Sequence, residues 1–157
     1  MLKISFKNFI IVLLLQVVFL QAGEKDREYV KVFDGDSTFK ETVERIQNNA
    51  EAAGWVVLET TYMHHNLSRA GYDIPPVAII EICNPKYSAA LLSDDATQMI
   101  SATMPCRISV YRTGEDEIKV AMLNLFLAEE LHKGVNLKVL SKGAAEMEKM
   151  ITTKNVK

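Results

Sequence analysis

No glycine-rich phosphate loop, Gly-x-Ser-x-Gly elbow or His-Glu-x-x-His pair occurs in this chain, so nucleotide-dependent and common hydrolytic mechanisms have no support. Cysteine is scarce. Cys83 and Cys106 are the only two in 157 residues, which excludes a disulfide-dense scaffold, and neither belongs to a Cys-x-x-Cys or Cys-x-x-Cys-His motif. Basic charge is not in excess either. Eighteen Lys and Arg stand against 20 Asp and Glu, and no basic run is interleaved with aromatics, so a nucleic-acid partner is not expected. The chain also lacks internal repeats, low-complexity stretches and an interdomain linker. Its length, with 48% hydrophobic residues, fits one domain with a single core.

What the chain does have begins at its N-terminus. Lys3 and Lys7 precede an almost wholly apolar run from Phe9 to Leu20, and Ala22 offers a small residue before the polar stretch that starts at Gly23. Residues 1–22 read as a secretory signal peptide cleaved near Ala22, with 23–157 as the mature domain. The competing reading is an uncleaved anchor, but the run is short for a span of roughly 20 residues. An exported, periplasmic protein with no stable membrane insertion after cleavage is therefore expected. In such a compartment two thiols often end as one disulfide, whereas in cytosol they stay reduced or bind metal.

The mature chain alternates strand and helix signals. Tyr29–Phe33 alternates as a strand, and Thr38 with Glu41 caps a helix that carries Val43, Ile46 and Ala50 on one stripe and stops at Gly54. Trp55–Tyr62 reads as a strand, followed by a polar loop holding His64, His65 and Asn66. Val77–Cys83 is a nearly continuous apolar strand, after which Asn84 and Pro85 open a short helix to Leu92. Asp94–Met104 holds a helical turn or two. Cys106–Tyr111 and Ile118–Leu123 form a hairpin about Gly114-Glu115-Asp116, and Asn124–Lys133 and Leu137–Ile151 read as helices, with Gly143 a weak point in the second. This order predicts an α+β domain with a mostly antiparallel sheet and helices on one face. If Ala78, Ile80 and Ile82 face the helices, alternation sends Glu81 and Cys83 to the other face, together with Glu59, Arg107 and Tyr111.

With those junctions placed, the chain resembles the bacterial family called domain of unknown function 302. The residues that carry the resemblance are Gly54-Trp55-Val56-Val57-Leu58-Glu59-Thr60, Ile82-Cys83-Asn84-Pro85 and Met104-Pro105-Cys106 leading to Val110-Tyr111, over about 37–123. The resemblance implies a compact α+β domain of TATA-binding-protein-like topology that associates as a homodimer. That topology implies nothing about DNA. It brings no settled activity and no cofactor. Arg107 after the Pro-Cys and a Lys-rich C-terminal helix depart from the family pattern.

The chemistry-bearing candidates cluster at the two Pro-marked junctions. Cys83 lies just ahead of a helix N-terminus, which favours an anion, and Arg107 brings a positive charge beside Cys106. Cys83, Asn84, Cys106, Arg107 and Glu81 are the candidate ligand-binding residues. A soft metal, a haem or an oxidised sulfur species is the expected ligand class of a non-enzymatic accessory domain. The alternative is a thiol-redox or sulfur-transfer enzyme with Cys83 as nucleophile and Cys106 as resolving thiol. Packing alone, or a plain disulfide, also explains two cysteines. Strand parity aims Cys106 at the core with Ile108 and Val110 while Cys83 aims away, which weakens a simple bridge. Met63, His64 and His65 make the one histidine cluster and are weak metal candidates, since adjacent histidines on an extended strand point apart. His132, alone near a helix end, fits terminal carbonyls better than a ligand. Glu59 and Glu81 form an acid–base pair only if adjacent strands align them.

Overall fold

The computed structural model describes residues 28–125 and 137–154. The expected signal peptide, His132 and most of the helix expected from Asn124 to Lys133 lie outside the described residues. Five strands form one antiparallel sheet: β1 (Val30–Asp34), β2 (Val56–Tyr62), β3 (Val77–Cys83), β4 (Cys106–Arg112) and β5 (Ile118–Leu123), in the order β1-β5-β4-β3-β2. Helices α1 (Phe39–Ala52), α2 (Met63–Arg69), α3 (Pro85–Leu92) and α4 (Leu137–Thr152), with a 3-10 helix at Gln98–Thr103, complete the described structure. The α+β class and the helix-covered sheet follow the expectation from the sequence.

Local chemistry sets the element ends. Thr38 caps α1, its hydroxyl oxygen accepting from the Glu41 N–H at 3.2 Å and donating to the Glu41 carboxylate at 2.9 Å. At the other end Gly54 adopts φ +77°, and the N–H groups of Gly54 and Trp55 return to the Glu51 and Ala50 carbonyls at 2.9 Å each. Only a residue without Cβ takes that left-handed turn at little cost, and it launches β2 from the end of α1. Gly35 has a different reason: a Cβ there would lie 2.9 Å from the Ile118 backbone oxygen, because the Gly35 N–H bonds that oxygen at 2.7 Å.

Since β1 and β2 occupy opposite edges, the connection through α1 crosses the sheet, and the apolar stripe of α1 meets the alternate residues of β3 and β4. Ile46, Ala78, Ile80, Ile82, Ile108, Val110 and Val120 have no exposed surface. Burying one such Ile or Val side chain contributes roughly 1.5–3 kcal/mol. The stripe Leu140, Ala144, Met147 and Ile151 of α4 fills the rest of that face. Arg45 and Asn49 on α1 then secure the end of α4. Arg45 Nη1 donates to the carbonyls of Ile151 (2.8 Å) and Thr153 (3.1 Å), Asn49 Nδ2 to those of Met150 (2.8 Å) and Thr153 (2.9 Å), and Arg45 Nε pairs with Asp36 at 2.6 Å. These donors supply partners for carbonyls that the end of a helix leaves without any.

The segment holding His64, His65 and Asn66 is helical, as α2, rather than the loop expected. Its support is tertiary: the Val77 N–H donates to His64 Nδ1 at 3.2 Å, and the His64 ring meets Phe39 edge-on with centroids 5.7 Å apart. Neither contact leaves a local pattern in the sequence.

Candidate functional site

β3 ends at Cys83, and the residues after it start a helix for local reasons. The Asn84 side-chain oxygen accepts from the N–H groups of Lys86 (3.1 Å) and Tyr87 (3.4 Å), and Pro85 takes the first turn, where its missing N–H has no partner to lose. One turn into α3, Ser88 Oγ lies 3.1 Å from Cys83 Sγ. On the neighbouring strand β4 opens at Cys106, which pairs in register with Ile82, and the Met104–Pro105 bond before it is cis. The two cysteines therefore stand on adjacent strands, one residue out of register.

Both border the same cavity of about 50 Å³. Its walls are mostly apolar, with Trp55, Ile82, Leu91, Ile100 and Leu140 in the lining and Asn84, Ser88 and Met104 among the remainder. Cys106 packs against the core as its alternation with Ile108 and Val110 predicts. Cys83 departs from the expectation. Cys83 keeps the burial alternation of β3, half-buried like Glu81, yet it lines the cavity with its sulfur beside Ser88 of α3. Both cysteines are free thiols and half-buried.

The cavity shapes their acidity. Loss of water around Cys106 pushes its thiol up to about 11, and Cys83 adds a smaller push in the same direction. Cys106 thus holds its proton at neutral pH.

The cavity floor is held by a carboxylate from a distant part of the chain. Glu146 on α4 accepts from Tyr87 Oη at 2.6 Å and from Trp55 Nε1 at 2.9 Å, and the two rings meet edge to face with centroids 5.9 Å apart. Its bond to Glu146 raises the Tyr87 phenol to about 12, with partial burial adding to the effect. Gly143, one turn earlier on α4, leaves room for those rings; a Cβ there would meet them at 3.7 and 3.8 Å, an ordinary contact distance. The glycine that looks like a weak point in the helix is thus part of the cavity wall.

The remaining candidates lie elsewhere. Arg107 and Glu81 are cross-strand neighbours on the open face and pair with each other, Arg107 Nε donating to Glu81 Oε1 at 3.1 Å. Glu59 aligns with Glu81 through a bulge between Val57 and Glu59, so the two carboxylates are neighbours, but Glu81 is salt-linked to Arg107 on an exposed sheet. Met63, His64 and His65 sit beside the start of β3, about 20 Å along the strand from Cys83. The His64 and His65 rings are in contact, with centroids 4.1 Å apart, and His64 Nδ1 is occupied by the Val77 N–H. Among the described residues, no group of three His, Cys, Asp or Glu is placed to hold a metal ion. No described helix is long and apolar enough to cross a membrane.

The joint role of Trp55, Tyr87, Gly143 and Glu146 has no local sequence signal because their partners are remote in the chain, whereas Ser88 lies only five residues after Cys83. Met104 is different. Its place next to Pro105-Cys106 is a visible signal that it shares the cysteine's environment.

The sheet, its covering helices and a cavity at the β3–α3 and β4 junctions define a two-layer α+β sheet-and-helix domain. Residues 32–154 match the family described as Domain of unknown function DUF302, and the chain belongs to that family. The match extends beyond the 37–123 of the motif-bearing stretch and takes in α4. A similar fold is seen in the crystal structure of an uncharacterized conserved DUF302 protein from Bacillus stearothermophilus, with a TM-score of 0.70 at 21% identity over 78% of this chain and 95% of that one. No curated protein matches the chain.

Proposed function

We propose that this protein is an exported, non-enzymatic accessory domain that binds one small, soft ligand at the Cys83 and Cys106 thiols. The observation that carries this reading is the placement of both free cysteines on one apolar cavity of about 50 Å³. That volume is far below the roughly 300–1,000 Å³ of pockets that enclose organic ligands. Haem is therefore set aside from the expected ligand classes, and a metal ion or a few-atom sulfur species remains. Apolar walls strengthen any charge–ligand interaction within and keep competing water out. Arg107 takes no part in this reading, being engaged by Glu81. Export rests on the basic and apolar character of residues 1–22.

The rival reading, a thiol-redox or sulfur-transfer enzyme, asks Cys106 to resolve a mixed disulfide on Cys83. A thiol held protonated to about 11 offers little thiolate for that attack at neutral pH, which favours binding over turnover. The partner of this domain is a second copy of itself, paired through the open sheet face, where Val30, Val32, Val56 and Leu58 are exposed.

The test is intact-mass analysis of the protein from its own compartment, before and after thiol alkylation, combined with melting curves in the presence of copper, haem and a persulfide donor. The expected result is a small adduct or ion that shields Cys83 and Cys106 together, with no haem binding. Unchanged mass, spectrum and melting temperature with all three would overturn the reading.

A further inference from the structure

Building on that reading, we propose that the cavity is a copper(I) site in which the Cys83 and Cys106 thiolates and the Met104 thioether bind one ion. These are the sulfur-bearing residues that border the cavity, and each reaches it from a different part of the β3–α3 or β4 junction. Sulfur-only donor sets select soft monovalent copper, whereas zinc sites take four ligands drawn from thiolate, imidazole and carboxylate. Among the described residues, no His, Asp or Glu borders this cavity to complete such a set. His64 and His65, the described histidines, stand at the far end of β3.

The cavity's size and chemistry agree with an ion. About 50 Å³ accommodates a bare metal and no macrocycle, and the surrounding Trp55, Leu91, Ile100 and Leu140 offer no oxygen or nitrogen ligand that would compete with sulfur. A second cavity of about 210 Å³ also borders Thr103, Met104, Pro105 and Cys106, with Met147 in its lining. As each copper–thiolate bond forms from a sulfur lone pair, the S–H proton passes to solvent. Copper enters and stays as Cu(I), so no electron is transferred. Two thiolates and one monovalent ion leave a net charge of −1 at the site, near the positive end of the α3 dipole.

The full chain, purified without oxygen, is titrated with Cu(I) supplied as its acetonitrile complex against the chelator bicinchoninate, with X-ray absorption of the loaded protein. One copper per chain with a sulfur-only shell is expected. Met104→Leu, which keeps side-chain volume, is expected to weaken binding by about tenfold and leave two sulfurs in the shell, while Cys83→Ser or Cys106→Ser weakens it by about 100-fold or more. Melting curves and silver(I) binding of each variant separate lost ligation from lost folding. Undiminished binding in folded Met104→Leu, nitrogen or oxygen in the shell, or equal affinity for Zn(II) would overturn the copper assignment. If copper fails to bind while a persulfide donor still adds sulfur to Cys83, the copper assignment falls and the small-ligand reading stands; if neither binds, both fall.

Discussion

The C-terminal end of α4 delivers its carbonyls to Arg45 and Asn49, whereas the N-terminal half of the same helix passes Gly143 and leaves a cavity in front of the cysteines. At one end the carbonyls of Met150, Ile151 and Thr153 accept from Arg45 and Asn49. At the other, space is kept open by a residue with no side chain, and a thiol sits buried without a charged partner. The contrast separates what holds the fold from what is available to a ligand. Substitutions at the Arg45 end should move stability and leave thiol chemistry alone, and those at the Gly143 end should do the reverse.

The largest effect is expected at the closed end. Arg45→Leu removes one partner of a nearly buried ion pair and strips donors from the end of α4, leaving Asp36 without its cation. A loss of about 3–5 kcal/mol is expected by urea denaturation, with unchanged alkylation of Cys83 and Cys106 under conditions where the variant is folded. If thiol reactivity rises in step with lost stability, the two ends are coupled and the division fails.

Next comes the pH dependence of the open end. The Cys106 thiol is raised from an ordinary 9.0 to about 11 in the folded state, so between those values the unfolded chain binds fewer protons than the folded one. Stability from this group is complete below about 9 and falls as pH rises toward 11, by about 2–3 kcal/mol. Cys106→Ala should remove that slope, read as the difference between wild-type and variant denaturation curves at each pH. A parallel pair of curves would place Cys106 in contact with water.

A spectroscopic sign of the cavity floor should accompany it. Tyr87 titrates late, near 12, because its hydroxyl donates to Glu146, and Glu146→Gln should return it toward 10. Ultraviolet titration of tyrosinate reads this directly; identical curves would mean that the Tyr87–Glu146 bond does not persist in solution.

The smallest shift is expected at Gly143. Gly143→Ala places its Cβ in ordinary contact with Trp55 and Tyr87 and improves helix propensity, so a gain of about 0.5–1 kcal/mol in thermal denaturation is expected. Gly143→Leu should instead fill the cavity and slow alkylation of both cysteines. Unchanged alkylation in the Leu variant would move the ligand site away from α4.

Much of the fold was readable because local and tertiary preferences coincide. Thr38 with Glu41, Gly54, Asn84-Pro85 and the alternation of β3 and β4 mark their elements without help from distant residues. The missing pieces are those that tertiary contacts impose. α2 forms around a His64 ring that is held by Val77 and Phe39, and no periodicity announces it. For the site, the cysteine junctions stand out in the sequence as proline-marked boundaries, but strand parity separates the two sulfurs. The structure brings both residues to one cavity because α3 folds back over the end of β3 and sets Ser88 against the Cys83 sulfur, a contact that strand parity does not carry. Glu146 lies 91 residues from Trp55, which leaves its role at the cavity floor without a local trace.

The shared cavity is the centre of this account, and arsenite tests it most directly, since As(III) is small and binds paired thiols far better than single ones. Titration of the folded protein followed by intact-mass analysis should give one arsenic per chain, protection of Cys83 and Cys106 from alkylation together, and loss of the adduct in either Cys→Ser variant. Independent alkylation of the two cysteines, unaffected by arsenite, would contradict it.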